Sequence, residues 1–401
     1  MENGKSNLRK MLQNLFSVPD IRNLSEDLLR DVQADLERER PPKLLFVGKT
    51  GVGKSSLINA VFGQEVAKVD ILPCTVGTQE QILDVETADK QRKIIIYDTQ
   101  GLDDVTKDNP EMIRLINRRI QECDLTIYVF DGSSRAWESD REILRNLHID
   151  KKAILVLVNR LDMLEPTRAW NPPYALAPNT QDQKERNIRE KMLWADQQIR
   201  AALPGHEDVQ IIPIAVPSDQ HWNVDLLVQR IETFLPDHLK LPFIRNLPHS
   251  LVKTRVCERI ARQWIPKYAA ASATVAAVPI PIADMIPLAT LQGAMWSHIA
   301  YIYGQGNIVQ SVTALAGSGG FGFAFRFMAQ ELTKLLPGGS VVNAAIAAAA
   351  TQGYGEVAIE YHNRNGNVSS KELQQLVEKF VGNFVRDVLG KTVLPSSKRD
   401  L

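Results

Sequence analysis

Hydrophobic and polar positions divide the chain into three regions. Within residues 1–40, Ile21, Leu24, Leu28, Leu29, Val32 and Leu36 fall on one helical stripe, which "RERPPK" then ends because two prolines cannot continue it. From about 41 to 238, short apolar runs alternate with helical patterns. The runs are Leu44–Val47, Lys93–Tyr97, Leu125–Phe130, Ala153–Val158 and Val209–Ala215. That rhythm predicts an α/β domain, a mostly parallel sheet with helices on both faces. Residues 239–401 lose the strand rhythm and predict an all-α domain, whose last helix is the clearest. Ser369 and Glu372 form a capping box there, and Leu373, Leu376, Val377, Phe380, Val381, Phe384, Val385 and Val388 follow with helical spacing. The helices of 6–38 and 369–390 each need an apolar partner, so the N-terminal helices are expected to join the C-terminal ones.

Charge changes the picture in one place. Lysine and arginine equal aspartate and glutamate at 47 each, so the whole chain exerts no bulk pull on nucleic acid or anionic lipid. Between Tyr268 and Gly355, however, the charged residues are Asp284, Arg326, Glu331 and Lys334 alone, in a stretch rich in Ala and Gly. Prolines at 279, 281 and 287, and the segments "PGGS" and "TQGYG", interrupt what would be membrane-spanning lengths. Three readings stay open, in order of preference: a helical domain packed through small residues, one associating peripherally with the inner face of a membrane, or one that spans it. A charge-poor region is a poor phosphate binder, which argues against nucleic acid as partner. The cysteines, Cys74, Cys123 and Cys257, show no metal spacing and fit a cytoplasmic setting. "MENGKSNLRK" lacks the apolar core of a secretory signal.

The most specific chemistry lies in "LLFVGKTGVGKSSLINAVFG". Gly48 to Ser55 fits the phosphate-loop spacing G-x-x-x-x-G-K-[ST] between an apolar strand and a helix. Gly48, Lys49, Thr50, Gly51, Val52 and Gly53 form the turn whose N–H groups can point at phosphate oxygens. Lys54 follows to reach the β- and γ-phosphates, Ser55 to ligate Mg²⁺, and Ser56 to open the helix.

Which base is held follows from "ILVLVNRLD". A carboxylate at Asp162 can accept from both N1–H and N2–H₂ of guanine, a pair adenine lacks. Asn159 is expected to tie this loop to the phosphate loop or bond the base, and the Arg160 guanidinium can lie on the purine face. In "IIIYDTQG", Asp98 ends a strand and is expected at Mg²⁺, and Gly101 offers an N–H to the γ-phosphate. "LPCTVGTQEQ" offers Thr75 and Thr78 as a switch threonine on Mg²⁺, with Thr75 the first choice. In "IPIAVPSD", the backbone of Ala215 and Val216 stands where a donor to guanine O6 is wanted. Lys54, Thr75 and Gly101 are thus the candidate catalytic residues, and GTP/GDP with Mg²⁺ the expected ligands.

With these motifs, residues 43–235 resemble a P-loop GTPase domain of the Era/TrmE-like group. "GKTGVGKSSLINA" is similar to bacterial YfjP/YeeP-type and to immunity-related and septin-like GTPases. "PIPIADMIPLATLQGAMWSHIAYIYG" resembles the helical domain that follows such GTPases, and "EPTRAWNPPYALAP" an insert of that subgroup. The resemblance implies GTP hydrolysis and a nucleotide-controlled switch. Two departures bear on mechanism. Gly51 stands where some relatives place an Asn that helps hold K⁺, and Leu102 where Ras-like enzymes place a water-orienting Gln. Another group must then position the water, with Gln79, Gln81, Gln100 or a partner's residue as candidates. Slow hydrolysis raised by nucleotide-dependent pairing of two copies is the expectation. The alternative is a switch that signals to a protein partner without membrane or RNA.

Overall fold

The computed structural model describes residues 26–49, 51–63, 71–73, 79–81, 95–98, 110–149, 154–206, 208–218, 220–248, 250–277, 286–304 and 340–393. The chain divides into two compact units, 40–253 and 1–39 with 254–401.

In chain order, helix α1 (Glu26–Arg38) is followed by strand β1 (Lys43–Val47) and α2 (Lys54–Phe62). Next come β2 (Ile71–Pro73), β3 (Gln79–Gln81), β4 (Ile95–Asp98) and α3 (Pro110–Glu122). β5 (Leu125–Asp131), α4 (Glu138–Asn146) and β6 (Ile154–Asn159) lead to α5 (Gln183–Ala202), β7 (Gln210–Pro213), α6 (Val224–Phe234) and α7 (Asp237–Arg245). The remaining helices are α8 (Leu251–Ala277), α9 (Ile286–Ile302), α10 (Ser340–Asn363) and α11 (Ser370–Val393).

Five strands form one parallel sheet in the order β4-β1-β5-β6-β7. β1, β5 and β6 read as unbroken apolar runs because both faces of the sheet are covered. Alternate side chains serve the two faces. Leu45, Val47, Tyr128, Phe130, Val156 and Val158 pack with Ile116 and Ile120 of α3, Ile143 and Leu144 of α4, and Ile188 and Ile199 of α5. Leu44 and Phe46 face the other way. There α2 packs on α6, and its Phe62 meets Phe243 of α7 edge-on at 6.1 Å. The register pairs Phe46 with Asp98 and Asp131 with Asn159. The carboxyl ends of β1, β4, β5 and β6 therefore line up along one edge, where parallel sheets bind ligands. β2 and β3 form a separate antiparallel pair with Ile71 opposite Gln81, an element that the sequence pattern did not announce. Gln79 and Gln81 lie on β3.

In the second unit, α1 buries Val32 completely and Leu28 nearly so. Its Asp31 pairs with Lys267 of α8 at 2.6 Å, and Glu39 just beyond it accepts from the Tyr301 hydroxyl at 2.6 Å. The uncharged helix α9 is buried at every position from 291 to 302. A helix that is apolar all round belongs inside a bundle or a membrane, and here protein covers it. Small residues bring α10 close to its neighbours. A Cβ on Gly353 would stand 2.6 Å from the backbone of Val381 in α11, and one on Gly355 2.6 Å from the Ile265 side chain of α8. Three buried polar groups link the helices: Gln292 donates to Thr351, and the Thr351 hydroxyl donates to Ser272. No described helix is long and apolar enough to cross a membrane. The capping box of α11 forms, with the Ser369 N–H donating to Glu372 at 2.9 Å and the Glu372 N–H to Ser369 Oγ at 3.3 Å.

Candidate nucleotide site

The phosphate loop leaves β1 at Gly48, a buried position where a Cβ would lie 2.5 Å from the Val129 carbonyl oxygen. Gly53, at φ 92°, turns the chain into α2, and a Cβ there would meet Asn159 Nδ2 at 2.5 Å. Both positions need glycine for a physical reason, close approach at one and left-handed backbone with close approach at the other. Lys54 is buried, and its ammonium donates to the carbonyls of Gly48 (2.9 Å) and Lys49 (3.0 Å), which folds it back over the loop. Ser55 and Ser56 are exposed on the first turn of α2. Gly51 is exposed with φ 78°.

Lys49 takes a different direction from the loop's backbone. Its ammonium meets Asp140 Oδ2 at 2.6 Å. Asp140 is buried in the first turn of α4, and its other oxygen accepts from the Tyr128 hydroxyl at 3.1 Å. Burial raises the Asp140 carboxyl above its ordinary range, while Lys49 and Tyr128 oppose that shift by stabilising the carboxylate. The pair fastens the second residue of the loop to the segment after β5.

The Asn159–Asp162 loop is tied to the same place. Asn159, buried at the end of β6, donates from Nδ2 to the Val52 carbonyl at 2.8 Å. Its Oδ1 is buried and accepts no hydrogen bond from the described residues. Arg160, at φ 61°, donates from Nη1 to the Gly51 carbonyl at 3.1 Å and to Asp131 Oδ2 at 3.3 Å. A short 3-10 turn, Leu161–Met163, then carries Asp162, which is half-buried, beside the fully buried Leu161. Lys184 of α5 donates to the Asp162 carbonyl at 2.7 Å.

The insert after this loop folds onto the loop following β7. Trp170, Tyr174 and Trp222 form an aromatic cluster with centroids 5.4 to 6.1 Å apart. Trp170 Nε1 donates to the Gln220 carbonyl, and Gln220 Nε2 donates to the Pro172 carbonyl, each at 3.0 Å. Ala215 is buried and bridges Trp222 in both directions, so its N–H is committed to the Trp222 carbonyl at 3.3 Å. Val216 is next in the chain and half-buried.

Asp98 ends β4 on the same edge of the sheet, its Cα paired with Phe46. Thr50, Thr75, Thr78, Gln100, Gly101 and Leu102 lie outside the described residues. Asp131, Asp140 and Lys184 were not singled out from sequence. Asp131 had a usable signal, as an acidic residue closing an apolar strand at the edge where the other motifs fall.

Residues 43–160 match the model of the 50S ribosome-binding GTPase family. This segment is a P-loop GTPase domain. The chain is 26% identical over 182 residues to GTPase Der of Desulforamulus reducens, an alignment covering 43% of this chain and 38% of that protein. It is 35% identical over 135 residues to GTPase Der of Clostridium acetobutylicum, covering 33% and 30%. The chain thus spans about a third of the length of these curated relatives. Among solved structures, Era in complex with MgGDPNP and nucleotides 1506–1542 of 16S ribosomal RNA matches with a TM-score of 0.34 and 24% identity, covering 50% of this chain and 58% of that one. In this GTPase domain, the phosphate loop and the Asn159–Asp162 loop are joined directly, and the segment 131–140 buttresses both.

Proposed function

We propose that the protein binds GTP and GDP with Mg²⁺ and hydrolyses GTP, using the nucleotide as a conformational switch. One observation carries this reading. The glycine-shaped phosphate loop and the Asn-Arg-Leu-Asp loop are hydrogen-bonded to each other at the carboxyl edge of the sheet. The Asn159 Oδ1, buried without a donor among the described residues, fits a ligand's N–H, and Cβ-free Gly48 and Gly53 fit a backbone that must wrap closely.

In this reading the N–H groups of 48–56 bind phosphate oxygens, and the Lys54 ammonium spreads its charge over the β- and γ-phosphates as negative charge shifts toward the leaving group. Asp162 accepts from the guanine N1–H and N2–H₂, and Arg160 covers the base. Since the Ala215 N–H is taken by Trp222, the donor to guanine O6 falls to Val216. Ser55, Asp98 and Thr75 or Thr78 would hold Mg²⁺, which when bound neutralises charge on the β- and γ-phosphates. Gly101 senses the γ-phosphate. Leu102 cannot polarise water, so a second copy of the chain supplies what the site lacks, and hydrolysis is slow in the monomer.

The test is phosphate release by the full chain with GTP and Mg²⁺. GTP but not ATP is turned over, Lys54→Ala loses activity by at least about 100-fold, and turnover per molecule rises with protein concentration. ATP turnover equal to that of GTP would sink the reading. A rate per molecule flat across concentration would remove the pairing but leave the hydrolase.

A further inference from the structure

The sequence carries an apparent error at the start of α5. Lys184 sits in the first turn of the helix, where the positive end of the helix dipole disfavours a cation. It is also completely buried, which disfavours its charge again. Asp182 caps that turn by accepting from the Glu185 N–H at 2.9 Å, so the helix start is fixed in place. The cost is met by two carbonyls. Lys184 Nζ donates to the carbonyl oxygens of Asp162 (2.7 Å) and Leu164. One turn on, Asn187 Nδ2 donates to the Glu165 carbonyl at 2.5 Å. The indole of Trp170, from the proline-rich insert, lies 5.6 Å from the ammonium.

The consequence is geometric. The loop is pinned at its start by Asn159 and Arg160 and at its end by α5. A bond to the carbonyl of Asp162 restrains the peptide plane that follows it, and with it the place from which the carboxylate side chain leaves the backbone. We propose that Lys184 is a positioning residue for base recognition: it holds the Asp162–Glu165 backbone so that the carboxylate meets both guanine donors. The role rests on the reading of Asp162 as the guanine-binding group. It also gives the insert a task, since Trp170 closes the cover over the ammonium.

The test compares affinities of the full chain for GDP and for IDP, which lacks the 2-amino group and can make one of the two bonds to Asp162. Phosphate contacts are common to both ligands. Wild type favours GDP by about tenfold or more. Lys184→Met lowers GDP affinity by about tenfold and IDP affinity less, so that the preference shrinks toward one. Lys184→Arg, whose guanidinium can still reach two carbonyls, restores most of it. If both affinities fall equally, Lys184 is only structural and the proposal is wrong. It is equally wrong if neither changes. Should Lys184→Met fail to fold, Lys184→Gln, too short to bond both carbonyls, is read in the same way. A wild type that does not distinguish GDP from IDP overturns the guanine reading itself, and this role with it.

Discussion

The buried pair of Lys49 and Asp140 shows what single residues contribute around the loop. Breaking a buried pair one-sidedly costs about 3–5 kcal/mol because it strands a charge. Lys49 keeps some exposure, 20% of its side chain, so Asp140→Ala is expected to cost less, about 2–3 kcal/mol. The double variant Lys49→Met with Asp140→Leu should be the more stable of the two, because no charge is left without its partner. Chemical denaturation of the single and double variants measures this, and a double variant less stable than Asp140→Ala would contradict it. Gly48, Lys54, Asn159 and Asp162 stand out as candidates in the sequence because their spacing is local and each chemical need admits few residue types. Lys49's partner was not legible. Asp140 lies on a different element, and nothing in "ESDREILRN" distinguishes it from an ordinary acidic first turn. Lys184 was hidden for the same reason, since its partners are backbone carbonyls, which every residue has.

Helices and strands were legible where their surroundings impose a clear pattern, apolar on both faces for a central strand or on one face for a helix. β1, β5 and β6 stood out as apolar runs, and α11 as an amphipathic stripe that buries Leu373, Leu376, Val377 and Val381. Phe384, a later position of the stripe, is 37% exposed. The short β2–β3 pair carried no usable pattern, because three-residue strands are too brief for alternation to register. For α9 and α10, composition left a membrane or a bundle open, and the close approaches at Gly353 and Gly355 show tight packing within the protein. Alanine in a helix ordinarily gains up to about 1 kcal/mol over glycine. Here Gly353→Ala is expected to destabilise by about 1–3 kcal/mol, because the obstacle is the Val381 backbone. Gly355→Ala should cost less, since only the Ile265 side chain must yield. Thermal or denaturant unfolding gives both values, and a stabilised Gly353→Ala would contradict the packing. His362 supplies a second measurement. Buried among Tyr303, Tyr361 and Trp296, its imidazole is pulled down to about 3 by desolvation. The unfolded chain then binds a proton at acid pH that the folded chain refuses. Stability is therefore full above about pH 6.5 and falls on acidification, by up to about 1.4 kcal/mol per unit, down to about pH 3. His362→Phe should flatten this part of the slope, and an unchanged slope would exclude His362 as its source.

At the scale of the whole molecule, the chain divides into a compact unit of 40–253 that holds the sheet with its covering helices, and one of 1–39 with 254–401 in which the described elements are helices. The GTPase unit brings its phosphate loop, its Asn159–Asp162 loop and the end of β4 to one sheet edge, and the helical unit carries the charge-poor stretch. In the proposed function, this edge reads guanine through Asp162. The direct measurement is competition for a fluorescent GDP analogue on the full chain with Mg²⁺, using GDP, ADP and XDP against wild type and Asp162→Asn. Wild type should prefer GDP to ADP by about 100-fold or more. Asp162→Asn should lose GDP and gain XDP, because an amide can donate to the xanthine 2-oxo group where the carboxylate repels it. Equal competition by ADP in wild type, or an Asp162→Asn variant that keeps its preference for GDP, would contradict the account.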